Sequence, residues 1–155
     1  MTEEELAEDI RQYGDMLFRL AYSCTGDLSV CDDIVQEVLI KHYRLGKSFG
    51  SEEGKRAWLV RVTVNACRSH TRAPWRKRRR ELPENAAAPG TEDADELIAL
   101  RDAIRRLKPI YREVIYLHYY EGYTAEQIGK MLGLTTSAVT SRLKRGRELL
   151  KHYLE

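Results

Sequence analysis

The sequence predicts an all-α fold made of two small helical domains and a flexible join. Three observations carry that expectation. Every stretch with regular apolar spacing has the helical period, and none alternates apolar and polar residues as a half-buried strand would. Helix-ending signals recur between these stretches, at Gly26, Gly46, Pro74, Gly122 and Gly133. Residues 81–91, ELPENAAAPGT, hold two prolines and a glycine without periodicity and read as a linker. Extended, such a segment spans at most ~35–40 Å.

In chain order, Leu6, Ile10, Tyr13, Leu17 and Leu20 mark a first helix to about Thr25, with Gly14 as a candidate kink. Gly26-Asp27 breaks it. Ser29 is the expected cap of a second helix, with Asp32 and Asp33 in its first turn, where carboxylates favour the helix dipole. Ile34, Val35, Val38 and His42 give it an inner side, and it ends near Gly46. Ser51 is the expected cap of a third helix, which runs to about Ala73 before Pro74 stops it. Leu59, Val62, Ala66 and His70 lie on one face of it; Trp58, Arg61, Asn65, Arg68 and Arg72 lie on the other. The second face, followed by WRKRRR, suits a nucleic-acid surface. The competing reading makes Trp58 a core residue and the arginines a solvated face. Helix resumes around Glu92 with the stripe Leu97, Leu100, Ile104 and Leu107. Pro109 suits the first turn of another helix, where Ile110, Val114 and Leu117 face inward, and Gly122 closes it.

The last stretch organises the function. Thr124 can cap a helix, with Gln127 completing a capping box. Ala125, Ile128 and Leu132 follow at helical spacing, and Gly133 supplies the left-handed residue that ends the helix. Thr135 caps the next helix, which puts Val139, Leu143, Gly146 and Leu150 on one side. Hydroxyl and basic groups fill the other side. A short helix, a glycine turn and a second helix of this kind form a helix-turn-helix sized for the major groove. Thr136, Ser137, Thr140 and Ser141 are expected nearest the bases, and Arg142, Lys144 and Arg145 within reach of guanine edges or phosphates.

Charge is segregated although the total is only +2. Residues 1–10 carry five acids and no base, residues 68–80 seven Lys or Arg and no acid, and residues 81–96 six acids and no base. A block of uncompensated positive charge calls for an anionic partner. No apolar run approaches the ~20 residues of a membrane span, and the acidic start lacks the pattern of a signal peptide. A cytoplasmic protein without membrane insertion is expected. Cys24, Cys31 and Cys67 form no CxxC pair and read as small core residues of a reducing compartment. His42, His70, His118 and His152 have no metal-ligand spacing, so neither a metal nor another cofactor is expected.

Read together, nearly the whole chain resembles a bacterial sigma factor of the extracytoplasmic-function (ECF) group. GDLSVCDDIVQEVLIKHYR resembles region 2.2, which docks on the clamp coiled coil of RNA polymerase. AWLVRVTVNACRSHTRAPWRKRRR resembles regions 2.3 and 2.4, which open and read the −10 element. LKPIYREVIYLHYYEGYTAEQIGKMLGLTTSAVTSRLKRGRELLK resembles region 4, which reads the −35 element. The resemblance implies region 2 over 1–80, a linker over 81–91 and region 4 over 92–155. It implies a non-catalytic subunit that directs promoter-specific initiation, with core RNA polymerase, promoter DNA and an anti-sigma factor as partners. By position, Asp33, Gln36 and Glu37 match the polymerase-facing residues, and Arg61, Asn65, Arg68, Arg72, Arg76, Arg78 and Arg79 match the −10 surface. The family usually carries Asp four residues after that Asn; this chain has Ser69, so the detailed −10 specificity does not carry over. The loop from about Gly46 to Glu53 matches the family's pocket for an unstacked base.

Two other classes stay open on the residues alone. A helix-turn-helix regulator acting without polymerase accounts for residues 124–151 but not for the acidic DDIVQEV helix. A metal-dependent nuclease would need Asp32, Asp33 and Glu37 to hold magnesium.

Overall fold

The computed structural model describes residues 1–72 and 94–155. The linker expected over 81–91 lies outside them. Helix α1 spans Glu3–Thr25 as one element, with Gly14 inside it. Thr2 begins it through a capping box: its hydroxyl accepts from the Glu5 amide at 3.1 Å, and the Glu5 carboxylate accepts from the Thr2 amide at 3.0 Å. Gly26, at φ 67°, ends it in the left-handed region. Helix α2 spans Leu28–Leu45 and starts earlier than expected, because Asp27 rather than Ser29 caps it. The Asp27 carboxylate accepts from the Ser29 amide at 3.0 Å and from the Ser29 hydroxyl at 2.6 Å. Helix α3 spans Glu52–Arg72, and Ser51 caps it by accepting from the Gly54 amide at 3.0 Å.

Helix α4 spans Ala94–Arg106 and α5 spans Pro109–Ile115, with Pro109 in the first turn as expected. A π-helical turn, Tyr116–Tyr120, then prolongs α5 and stacks the rings of Tyr116 and Tyr120, 5.7 Å apart and 14° from parallel. Helices α6 (Ala125–Leu132) and α7 (Thr136–Leu154) make the helix-turn-helix. Both caps form as read: Thr124 and Gln127 reciprocate, and Thr135 accepts from the Ala138 amide at 3.0 Å. The described residues contain no strand.

Helices α1 to α3 close around Leu17, Leu20, Ile34, Val38, Leu59 and Val60, none of which is exposed. The second group closes around Val114, Leu117, Ile128 and Val139, equally inaccessible. These clusters are not separate: the buried residues of both groups form one continuous core. Helix α3 packs on α1, α2 and α6, and α1 also packs on α5. That explains why α3 buries Leu59, Val60, Thr63, Val64, Ala66 and Cys67, more than one stripe can hold. Polar contacts stitch the seam. Arg19 Nε donates to the Tyr116 hydroxyl at 3.2 Å, and its Nη2 donates to Glu121 at 3.2 Å. Tyr123 donates to the Met16 sulfur at 3.7 Å. Arg68 grips Glu113, with Nε 3.3 Å and Nη2 3.0 Å from the two carboxylate oxygens.

Candidate nucleic-acid and protein interfaces

The second helix of the helix-turn-helix presents two different sides. Val139 and Leu143 are buried, and Gly146 lets α7 close on α5: a β-carbon there would lie 2.6 Å from Ile115 Cδ1. Thr136, Ser137, Thr140, Ser141, Lys144 and Arg145 are all exposed on the outward side. Thr140 donates its hydroxyl proton to the Thr136 carbonyl at 2.9 Å, which leaves the oxygen lone pairs to face solvent. Arg145 touches Glu148 at 3.7 Å, a weak surface pair that a phosphate can displace. Arg142 is placed apart from this group. It is half-buried, and its Nη1 is shielded with no hydrogen-bond partner. Its charge lowers the pKa of buried Glu113, though less than Arg68 does.

On α3, Arg61 and Asn65 are exposed and Arg68 is half-buried. Arg61 reaches the turn of the helix-turn-helix, where a β-carbon on Gly133 would meet its Nη2 at 2.7 Å. Glu113, which Arg68 holds, is fully buried, and burial raises its pKa above the ordinary carboxylate range against the pull of Arg68. Arg76, Arg78 and Arg79 lie outside the described residues, as does the side chain of Arg72. Trp58 is half-buried and packs with the core, its ring 5.7 Å from both His42 and Phe49.

Beneath the 46–51 loop lies a network that the sequence reading missed. His42 is fully buried on α2, and its Nε2 is 2.8 Å from the Asp9 carboxylate of α1. Lys55 of α3 donates to the same carboxylate at 3.1 Å. Tyr13 donates to Glu52, which holds the Glu52 carboxyl below its usual range, while burial and that bond push Tyr13 up to about 12. The signal for this was an acid, Asp9, four residues before Tyr13 in the inner stripe of α1. A cavity of about 460 Å³, lined by Lys47, Ser48, Phe49 and Ser51 among others, opens against the loop.

Asp33, Gln36 and Glu37 are exposed together on α2. They border a shallow groove with Ile40 and Leu45, which are 50% and 56% exposed, and Arg44. Asp32, Asp33 and Glu37 do not assemble a metal-holding group; none exists among the described residues. Cys24, Cys31 and Cys67 are buried free thiols. No described helix is long and apolar enough to cross a membrane.

A helix-turn-helix packed on a second helical unit is the architecture of a DNA-binding protein. Family models for Sigma-70 region 2 and Sigma-70 region 4 match residues 10–80 and 97–150. The chain belongs to the sigma-70 family. Within it, the chain falls in the ECF group. It is 33% identical to the ECF RNA polymerase sigma factor SigE of Mycolicibacterium smegmatis, over 95% of this chain but only 60% of that protein. SigW of Bacillus subtilis is 26% identical, covering 98% of this chain and 90% of its own. In fold, the chain resembles the sigma factor RpoE of Bartonella quintana, solved with the anti-sigma factor NepR (TM-score 0.77, 22% identity, 97% of each chain). It also resembles CnrH, solved with the cytosolic domain of CnrY (TM-score 0.74, 24% identity, 99% of this chain and 89% of that one).

Proposed function

We propose that this chain binds core RNA polymerase through α2, opens and reads a −10 element with α3 and the basic run that follows, and reads a −35 element with α7. The observation that carries the reading is the composition of the α2 surface. Asp33, Gln36 and Glu37 share it with Ile40 and Leu45, apolar side chains that are left half in solvent. Apolar groups exposed beside a polar patch suit a protein partner better than water. Asp33 and Glu37 share the groove with Lys41 and Arg44, so its charge is mixed, unlike the basic surfaces proposed for DNA.

On this reading Arg61, Asn65 and Arg68 serve the −10 strand, joined by Arg72, Arg76, Arg78 and Arg79. Thr136, Ser137, Thr140, Ser141, Lys144 and Arg145 serve the −35 groove. The cavity at the 46–51 loop holds an unstacked base, offsetting an unstacking cost of a few kcal/mol. The protein works in the cytoplasm, and an anti-sigma factor, a partner of the kind seen bound to RpoE of Bartonella quintana, holds it inactive.

The test is docking. Replacing Gln36 and Glu37 together by Ala should weaken core polymerase binding about tenfold or more, with the helical circular dichroism unchanged. Both side chains are exposed, and the one contact of Glu37 with α3, to His70 at 3.4 Å, is a surface pair of little worth to the fold. A double variant that binds core as tightly as the parent would remove the α2 assignment.

A further inference from the structure

The loop that joins α2 to α3 has little of its own to hold it. Among the described residues, no backbone hydrogen bond fixes positions 47–50. Lys47, Ser48 and Gly50 are exposed, and Phe49 alone of this stretch turns part of its surface inward. The Phe49 ring lies 5.9 Å from that of His42 and 5.7 Å from that of Trp58, with Lys47 Nζ 5.7 Å from its centre. His42 and Trp58 are themselves 5.7 Å apart. The three rings thus form a triangle, and Phe49 is the corner that the loop supplies.

The seat of that ring is set from behind by charge. Asp9 of α1 is 3% exposed, and a carboxylate so placed needs partners. It has two, on different oxygens: His42 Nε2 at 2.8 Å and Lys55 Nζ at 3.1 Å. The His42 Nδ1 is shielded and has no hydrogen-bond partner, so Asp9 is what fixes the angle of the imidazole. Neither Asp9 nor His42 lines the cavity at the loop, whereas Phe49 does.

We propose that Asp9 and His42 are positioning residues for promoter opening: their pair fixes the seat of Phe49 and so preorganises the 46–51 loop for the base it receives. The inference rests on the reading of that loop as the holder of an unstacked base. A wall that is free to move must be ordered when the base arrives, and the ordering weakens the capture. A wall already in place leaves the whole contact to offset unstacking. Misplacing a positioning group by about 1 Å can cost on the order of a hundredfold in rate. Lys55 meets the same carboxylate but also lines the cavity, so replacing it mixes positioning with contact.

The experiment has two readings on the full chain. Phe18 and Phe49 are its two phenylalanines, so labelling with 4-fluorophenylalanine gives two fluorine resonances, assigned with Phe49→Leu. We expect Asp9→Asn and His42→Gln to move or broaden the Phe49 resonance and leave that of Phe18 in place. The second reading is opening by the polymerase complex, on a promoter that the parent selects from a random library. An unstacking-sensitive base, 2-aminopurine, in the −10 element reports it. Both variants should open this promoter about tenfold more slowly, while keeping the parent's affinity for core polymerase and its −35 preference. Phe49→Ala should slow opening by a like factor. Adding Asp9→Asn to Phe49→Ala should slow it by no more than about twofold further, because the pair acts through that ring. Fully multiplied effects would overturn the proposal, since Asp9 would then contribute only general stability. An unmoved Phe49 resonance would overturn it too, as would opening at the parent's rate in both single variants. Failure of the loop reading looks different: Phe49→Ala itself then opens at the parent's rate, and the proposal falls with it. Should Asp9→Asn not fold, His42→Gln carries both readings and the cycle with Phe49, and Lys55→Gln, from a side chain 21% exposed, repeats the fluorine reading.

Discussion

Leu143 shows what a single inner position of the recognition helix is worth. It is 4% exposed on the side of α7 that faces the core. Leu143→Ala should cost about 2–5 kcal/mol, as a core truncation that leaves a cavity; chemical denaturation checks it. Tyr13 sets a pH dependence. Its pKa is raised to about 12 by burial and by the bond to Glu52. A folded-state value above the unfolded one means the contribution is complete below the ordinary tyrosine range and fades as pH rises through it toward 12. Glu52 works on the acid side with the opposite sign: its lowered pKa adds stability above the ordinary carboxylate range, lost as pH falls. Tyr13→Phe should therefore flatten the alkaline decline of stability measured across a pH series. Single-residue roles were unevenly legible. The inner positions Leu17, Ile34, Leu59 and Val139 follow from periodicity. The Asp9–His42–Lys55 network does not, because its members are far apart in the chain and periodicity does not say which inner side chains meet.

At the scale of elements, capping chemistry was the most readable signal. Thr124 with Gln127, Ser51, Thr135 and Gly133 do what their sequence positions suggest, since a cap acts within three or four residues. Asp27 and Ser29 compete for the same role, and the backbone accepts the earlier one; both are good caps, so local propensity could not choose. The π-helical turn at 116–120 carried no readable signature, because its extra residue is set by how Tyr116 and Tyr120 pack. Thr124→Ala should cost about 1 kcal/mol of stability, read as a shift in the denaturation midpoint. The same element makes a functional prediction. Ser141→Ala and Arg145→Ala should change the selected −35 sequence and leave the −10 sequence alone, about 1–3 kcal/mol being at stake for a good Arg–guanine contact. Arg142→Ala should act differently. Its shielded Nη1 and its nearness to Glu113 place it within the fold, so it should lower stability more than it alters promoter choice. A promoter library selected with each variant, beside a melting curve, separates the two effects.

For the molecule as a whole, the number of helices and their division into two groups could be read in advance. That the groups share a core could not. The seam is made by contacts between distant residues, Arg19 with Tyr116, Met16 with Tyr123 and Arg68 with Glu113, and periodicity reports only that a helix has an inner side. The clue was an excess of apolar positions around α3, more than two neighbouring helices could cover. A protease site inserted within residues 81–91 gives a direct check. After cleavage, the two fragments should elute together from a sizing column at low and at high salt, because the core they share is apolar.

A continuous core also couples properties that would otherwise vary independently. The halves should lose structure in one cooperative transition, so Leu143→Ala in the second half should be reported by the fluorescence of Trp58 in the first. Heat resistance and readiness to engage a promoter then oppose each other. On the proposed function, a variant that tightens the seam should raise the melting temperature of the idle protein and slow its recruitment, and one that loosens it should do the reverse. A chain shaped this way has little room to evolve toward greater durability without becoming harder to switch on.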